Sequence, residues 1–385
     1  MKIAIISMIR EPWGGSEELW AAMAAKALQE GHTIAHSTFR FSQVADKEKQ
    51  LIEKGLLHIP RRGFVAPGTA VPIRWLKKAW YLLLNKIDNP FSRLLATKPD
   101  LVIYNGTAYS IAAEKDLLRI LQKKQIPWCI IGHFSADNRR EFGEREANIL
   151  RQCYQQAKKV FFVSQRTLDT AVRQLAMPIP NAMVVRNTVN LDKISLVPYP
   201  AQTEPLKLAL VGNLLTIHKG QDLVLEILAA DKWRNRNVQL NIYGQGPDEQ
   251  YLKNLVAFYQ LQHRVTFWGK VKDIRGLWAD NHILLMPSHT EGMPLAVVEA
   301  MLCGRPCVVT DVGGHTEWVQ EGREGFIAEA ASVHSFGNAM ERAWQQQDQW
   351  QQLGVQANQK ALQLYGEDPA KTFFDVIQQL VKDRN

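Results

Sequence analysis

Two glutamates eight positions apart, Glu291 and Glu299, mark the part of this 385-residue chain best suited to chemistry. Glu291 follows an apolar, strand-like run, and Glu299 falls inside the helix that the next residues open. Pro294 stands near the first helical position, where its missing N–H costs nothing. Free amides at such a helix start, helped by the helix dipole, make an anion site, so Gly292, Met293, Pro294 and Leu295 read as a phosphate cradle. Ionised carboxylates only accept hydrogen bonds. Two of them flanking an anion site suit a ligand with phosphates in its middle and hydroxyls at both ends, the layout of a sugar nucleotide.

The elements that must position these groups follow one pattern. Short apolar β-rich runs at residues 2–7, 33–39, 56–59, 101–104, 128–132, 160–163 and 182–185 alternate with amphipathic stretches such as 17–29, 108–124 and 140–156. A second series runs through 207–211, 238–243, 265–268, 283–286, 306–310 and 325–327. Strands alternating with helical segments imply parallel sheets with crossover helices. Three prolines in residues 198–205 mark a linker between them. The expected organisation is therefore α/β, with one Rossmann-like domain over residues 1–198 and a second over 199–366. A last amphipathic helix, within 367–385, is expected to cross back to the first domain.

The segment from Glu291 to Glu299, with Gly313-Gly314 after the next strand, resembles the retaining glycosyltransferases of family four. That resemblance implies the GT-B fold, two Rossmann-like domains facing each other across a cleft, with nucleotide-sugar binding in the second. Gly212-Asn213 and His218-Lys219-Gly220 are similar to the family's Gly-Arg and Lys-Gly segments, whose cations hold the donor diphosphate. Lys219 matches the lysine, whereas Asn213 replaces the arginine and supplies a neutral hydrogen bond of roughly half the strength. Gly244, in Tyr243-Gly244-Gln245-Gly246-Pro247, resembles the strand end that borders the base. This turn lacks the third glycine of a dinucleotide fingerprint, which argues against a nicotinamide enzyme. Residues 187–190, Asn-Thr-Val-Asn, are similar to an Asn-Gly-Val-Asp loop with an interdomain role.

In the first half, Gly14-Gly15-Ser16-Glu17 resembles the family's glycine loop facing the donor phosphates; Ser16 is expected to cap the helix and Glu17 to favour its dipole. His133 stands where the family has a histidine near the transferred sugar. The resemblance thus implies a retaining hexosyltransferase working from a UDP- or GDP-linked sugar, with catalytic Glu291, Lys219 and His133. Donor binding is assigned to Gly14, Gly15, Asn213, Lys219, Gly244, Glu291, Gly292, Met293, Pro294, Leu295 and Glu299. No cofactor and no metal are expected, since no Asp-x-Asp pair accompanies the donor motifs. Two rival readings share the architecture: a sugar-nucleotide epimerase, which needs no acceptor, and a non-catalytic sugar-nucleotide-binding protein, which the Asn213 departure leaves open.

Composition narrows the partners. Hydrophobic residues at 46% and charged residues at 22% are ordinary globular values. Four scattered cysteines argue against a disulfide framework, and no run nears the ~18 apolar residues of a membrane helix. Residues 2–7 read as a first strand and not as a secretory segment, so the expected location is cytoplasmic. The net charge of +8 divides unevenly, because residues 1–198 hold 29 Lys+Arg against 17 Asp+Glu and the remainder 17 against 21. No helix-turn-helix, RNP or zinc pattern accompanies the basic half, which removes nucleic acid. An anionic partner remains: a glycan, lipid-linked or phosphorylated acceptor, or the membrane surface carrying it. Residues 72–87 bear on the choice, with Ile73, Leu76, Trp80, Leu83 and Ile87 sharing one helical face and Arg74, Lys77 and Lys78 opposite. Such a helix suits peripheral contact with an anionic membrane, and a helix packed on its own sheet has the same pattern.

Overall fold

The computed structural model of the protein describes residues 1–65, 69–137, 140, 142–201 and 205–383. Residues 202–204 of the proline-rich stretch, and residue 141 of the 140–156 stretch, lie outside the described residues. The described chain divides into two compact units, Met1–Thr188 with Asp368–Asn385, and Val189–Glu367.

The first unit holds a seven-stranded parallel sheet: β1 (Lys2–Ser7), β2 (Thr33–Ser37), β3 (Leu57–His58), β4 (Leu101–Gly106), β5 (Trp128–Gly132), β6 (Lys159–Phe162) and β7 (Ala182–Val184), in the order β3-β2-β1-β4-β5-β6-β7. The second holds six: β8 (Leu206–Val211), β9 (Val238–Tyr243), β10 (Val265–Gly269), β11 (Ile283–Met286), β12 (Cys307–Thr310) and β13 (Gly325–Ala328), in the order β10-β9-β8-β11-β12-β13. These are the strands expected from the apolar runs, to within two residues at each end. Parallel strands are covered on both faces and therefore read as continuous apolar runs. In β1, Ala4 and Ile6 enter one core cluster while Ile3 and Ile5 enter another, as the two-residue period of a strand requires.

The helix Pro369–Lys382 contributes Phe373, Phe374 and Ile377 to the cluster that holds Ile3 and Ile5, and Lys26 pairs with Asp368 at 2.6 Å where this helix begins. At the other junction the expected boundary of 198 moves back to 188. The reason is hydrogen bonding. Val189 donates its N–H to the Tyr365 hydroxyl at 2.9 Å, and Arg275 donates to the carbonyls of Lys193 and Ser195, each at 2.9 Å. Fully buried Arg305 donates to the carbonyls of Val197 (3.2 Å) and Pro198 (2.7 Å), as well as to Trp278 and Asn281. Prolines end regular structure here, yet the segment before them is bound to the second unit.

Arg305 thus satisfies several buried carbonyls with one guanidinium, and burial pushes its own pKa down to about 10. Arg305→Ala is expected to cost about 3 kcal/mol or more, because the carbonyls lose their donors together. Thermal unfolding followed by circular dichroism would show it as a fall of several degrees in Tm; an unchanged Tm would reject the anchoring role.

Candidate functional site

In an open parallel sheet, ligands bind beyond the carboxyl ends of the strands where the strand order reverses. In the second unit that point lies between β8 and β11. The loop after β8 carries Asn213, which is exposed, and the turn Thr216–Lys219. The loop after β11 carries Ser288 and Glu291 and leads into the helix Leu295–Leu302, with Pro294 at its N-cap. The two loops are bonded together: His289 donates its N–H to the His218 carbonyl at 2.8 Å, and the His218 ring meets the Thr290 hydroxyl at 3.1 Å. Gly220 closes the turn with φ 63°, and a Cβ there would lie 2.3 Å from the Pro287 carbonyl oxygen. Only glycine allows both that conformation and that approach.

This arrangement brings Lys219 and Glu291 together. The Lys219 Nζ donates to Glu291 Oε1, and the Ser288 hydroxyl donates to the same oxygen at 3.0 Å. Glu291 is buried. Burial by itself would raise its carboxyl, but the Lys219 ammonium, with His315 and Ser288, holds it below the ordinary carboxylate value. Behind Ser288, the Thr310 hydroxyl donates to the Ser288 carbonyl at 2.6 Å, and His315 Nδ1 donates to the Thr310 carbonyl at 2.7 Å. Gly313, at φ 50°, would place a Cβ 2.0 Å from the Glu291 carbonyl oxygen, and Gly314 donates to Gly292 at 2.8 Å. Ser288 stands three residues before Glu291, a spacing legible in the sequence; His315 has no comparable signal.

Glu299 is also buried, inside the helix Leu295–Leu302, and its Oε1 accepts from the backbone N–H (2.8 Å) and the side-chain amide (3.1 Å) of Asn190. The segment at residues 189–190 is thus tied to this carboxylate inside the second unit. Met293 is buried beside the helix start, and Gly244 follows β9, its N–H donating to Gly269 at 2.8 Å.

In the first unit the order reverses between β1 and β4. Gly14 and Gly15 follow β1, but the expected capping differs in detail. A 3₁₀ turn, Gly15–Glu17, precedes helix α1 (Glu18–Gln29), and Ser16 lies inside that turn, donating to Glu17 Oε1 at 3.2 Å. Glu17 is buried and accepts from Trp20 and Asn105 (each 2.9 Å), so it serves the interior and not the helix dipole. His133 stands just past β5, with Nε2 2.6 Å from Asn105 Oδ1. Burial drives the His133 imidazole down to about 3, so it is neutral. Among the described residues one group has metal-ligating composition: His36, Glu48 and His58. Both rings donate from Nδ1 to Glu48 Oε1, at 2.6 and 2.8 Å, and these donors take the Glu48 carboxyl down to about 2 against the upward push of burial. The segments around Lys219 and Glu291 expected to bind the donor are in the other unit.

Residues 205–346 match the family model Glycosyl transferases group 1. The chain is 32% identical over 136 residues to an uncharacterized glycosyltransferase of Haemophilus influenzae, covering 34% of this chain and 38% of the relative. It is 28% identical over 199 residues to the D-inositol 3-phosphate glycosyltransferase of Gordonia bronchialis, covering 48% and 40%. The matched part thus spans about two fifths of the length of these relatives. The structure of Anabaena HepE in complex with UDP superimposes over 100% of both chains, with a TM-score of 0.73 at 17% identity. The fold is GT-B, two Rossmann-like domains, and the stretch that matches the group 1 glycosyltransferase model lies within the second unit.

The Lys219–Glu291 pair has a direct titration signature. In Lys219→Met, burial acts on Glu291 without its main counterion, so the carboxyl pKa should rise above the ordinary value. A carboxyl carbon NMR titration would measure this; a pKa that stays low would show that Lys219 is not what holds it down.

Proposed function

We propose that the protein is a retaining glycosyltransferase that moves a hexose-type unit from a UDP- or GDP-linked sugar to a hydroxyl of a glycan or lipid-linked glycan. The observation that carries this reading is the Lys219–Glu291 ion pair at the β8/β11 switch point, beside the start of the helix Leu295–Leu302. A lysine ammonium is a compact point charge on a flexible stem, suited to meeting a diphosphate. On donor binding, Lys219 and the amides around Met293 and Leu295 take the diphosphate, and Glu291, freed of its partner, accepts from hydroxyls of the sugar. Glu299 accepts from the ribose, in exchange for Asn190. As the glycosidic bond breaks, negative charge grows on the leaving diphosphate, so its stabilisation by Lys219 and the helix start is the main catalytic contribution. No metal is called for in this scheme. Retention follows from attack on the face the diphosphate leaves, with the departing phosphate taking the acceptor proton. In support, the Anabaena neighbour holds UDP.

The acceptor is proposed to lie at an anionic membrane surface reached by helix α3 (Val71–Ile87), which follows α2 (Asp46–Glu53) in the same unit. Side-chain exposure favours this reading over a helix packed on its own sheet. Trp75 and Leu76 are each 70% exposed, Trp80 58% and Ile87 80%, and α3 contains Arg74, Lys77 and Lys78 but no acidic residue. Tryptophans beside cations on an amphipathic helix with an exposed apolar face fit the interface of an anionic bilayer. Among the described residues no helix is long and apolar enough to cross a membrane.

Screening nucleotide sugars for diphosphate release, with NMR of the product anomer, tests the reaction. Release that depends on an acceptor, with the anomeric configuration kept, is expected; turnover without an acceptor would favour the epimerase, and inversion would reject the mechanism. Lys219→Ala should lower turnover at least tenfold, about 1.4 kcal/mol, and near-normal rates would remove it from the diphosphate site. The protein should float with vesicles containing anionic lipid, and the triple variant Arg74→Glu, Lys77→Glu, Lys78→Glu should remain at the bottom of the gradient. A variant that still floats would refute this surface.

A further inference from the structure

We infer that Glu17 and Asn105 are positioning residues for His133, fixing its proton on Nε2 so that Nδ1 serves as a hydrogen-bond acceptor. The inference rests on the reading above for the place of His133 in the reaction, but the tautomer follows from the first unit alone. Asn105 lies at the end of β4 and is buried. Its amide nitrogen faces two groups that accept here, Glu17 Oε1 at 2.9 Å and the Ser16 carbonyl at 3.2 Å. The amide oxygen must then be the atom 2.6 Å from His133 Nε2, and an oxygen acceptor demands a donor in return. His133 therefore carries its proton on Nε2. The lone pair of Nδ1 is on the other side of the ring, where the Asn187 amide approaches at 3.5 Å.

The far end of the chain fixes its direction. The Trp20 indole is a donor only, and it reaches Glu17 Oε2 at 2.9 Å, while the Ser16 hydroxyl donates to Oε1. Trp20, Ser16 and Asn105 all donate to Glu17, so the carboxylate form matches the network and a proton on it does not. Burial opposes that form and raises the Glu17 carboxyl to about 7; the hydrogen bonds from Ser7, Trp20 and Ser16 lower it, and the Glu48 carboxylate raises it further. Burial lowers the pKa of the nearby Arg61 guanidinium to about 10, and the charges of Glu114 and Glu17 act against that fall. Below about pH 7 the proton taken up by Glu17 must sit on an oxygen that already faces a donor, and the hold on Asn105 weakens.

The consequence for glycosyl transfer is that His133 acts as a neutral acceptor for a hydroxyl of the sugar or of the acceptor, and not as a cation. Nitrogen-15 NMR of protein labelled in its histidines tests the tautomer without any activity assay. A pyrrole-type Nε2 and a pyridine-type Nδ1 are expected for His133; the reverse assignment in the wild type would overturn the inference. Glu17→Gln offers an amide where Asn105 needs an acceptor, because the Trp20 donor holds the oxygen of the substituted side chain. Asn105 should then turn over and the His133 proton move to Nδ1. A folded variant whose tautomer is unchanged would also overturn it. In the transfer assay, the wild type should lose rate as pH falls through about 7, and Glu17→Gln should be at least tenfold slower in kcat without that acid limb. Should no nucleotide sugar be turned over while the tautomer is as stated, the transferase reading fails and the positioning of His133 stands.

Discussion

A carboxylate taken out of water must be met by charge and donors within reach, and in this protein Glu291 imposes that requirement on two loops at once. An unanswered buried charge costs several kcal/mol, so the loop after β8 has to deliver Lys219 to the loop after β11. The rest of the site follows. The turn Thr216–Lys219 bonds to His289 and Thr290, and Gly220 lets the chain pass under Pro287. Ser288 supplies the second donor to Glu291, Thr310 fixes Ser288, and Gly313 clears the Glu291 carbonyl. In the proposed function the pairing that stabilises the carboxylate is also the one a diphosphate would compete for, so that a single ion pair would keep both groups oriented for the ligand.

The first unit meets the same problem with uncharged donors. Its interior polar chain runs from the Trp20 indole through Glu17 and Asn105 to His133. Because Trp20 can only donate, each later atom has its role assigned in turn, and a buried network with every member satisfied specifies one arrangement. The orientation of an asparagine amide, usually a free choice, is here dictated by what surrounds it. Electrostatics sorts the two units accordingly: in one a cation holds a carboxyl below its usual range, and in the other burial raises a carboxyl and lowers an imidazole.

The strands were legible because a parallel sheet buries both faces, and the apolar runs of β1, β5 and β11 announce it without ambiguity. Lys219 and Glu291 were legible because glycines and a proline punctuate the turns around them. What the sequence concealed depends on partners distant along the chain. Glu17 looks like a carboxylate at a helix start, and it takes Asn105, 88 positions away, together with Trp20 to make it an interior acceptor. Asn190 reads as part of a loop before a linker until Glu299 holds it. The prolines after residue 197 signalled an end to regular structure, but Tyr365, Arg275 and Arg305 bind residues 189–198 to the second unit. His36, Glu48 and His58 come from two strands and α2, and nothing in their spacing announces a cluster.

Helix α3 shows why periodicity alone cannot say what a face packs against. Ile73, Leu76, Trp80, Leu83 and Ile87 line one side of α3, and all five remain at least half exposed. Burying such a side chain is worth roughly 1.5–3 kcal/mol, so leaving five in water forgoes on the order of 10 kcal/mol that a core helix would gain. A basic residue near an anionic leaflet contributes only about 1 kcal/mol. In the proposed membrane contact the apolar face therefore supplies most of the affinity, while Arg74, Lys77 and Lys78 select the charge of the lipid. In that proposal the basic excess of residues 1–198 would draw the face towards an anionic surface within the range that salt screening allows, and the tryptophans would hold it there.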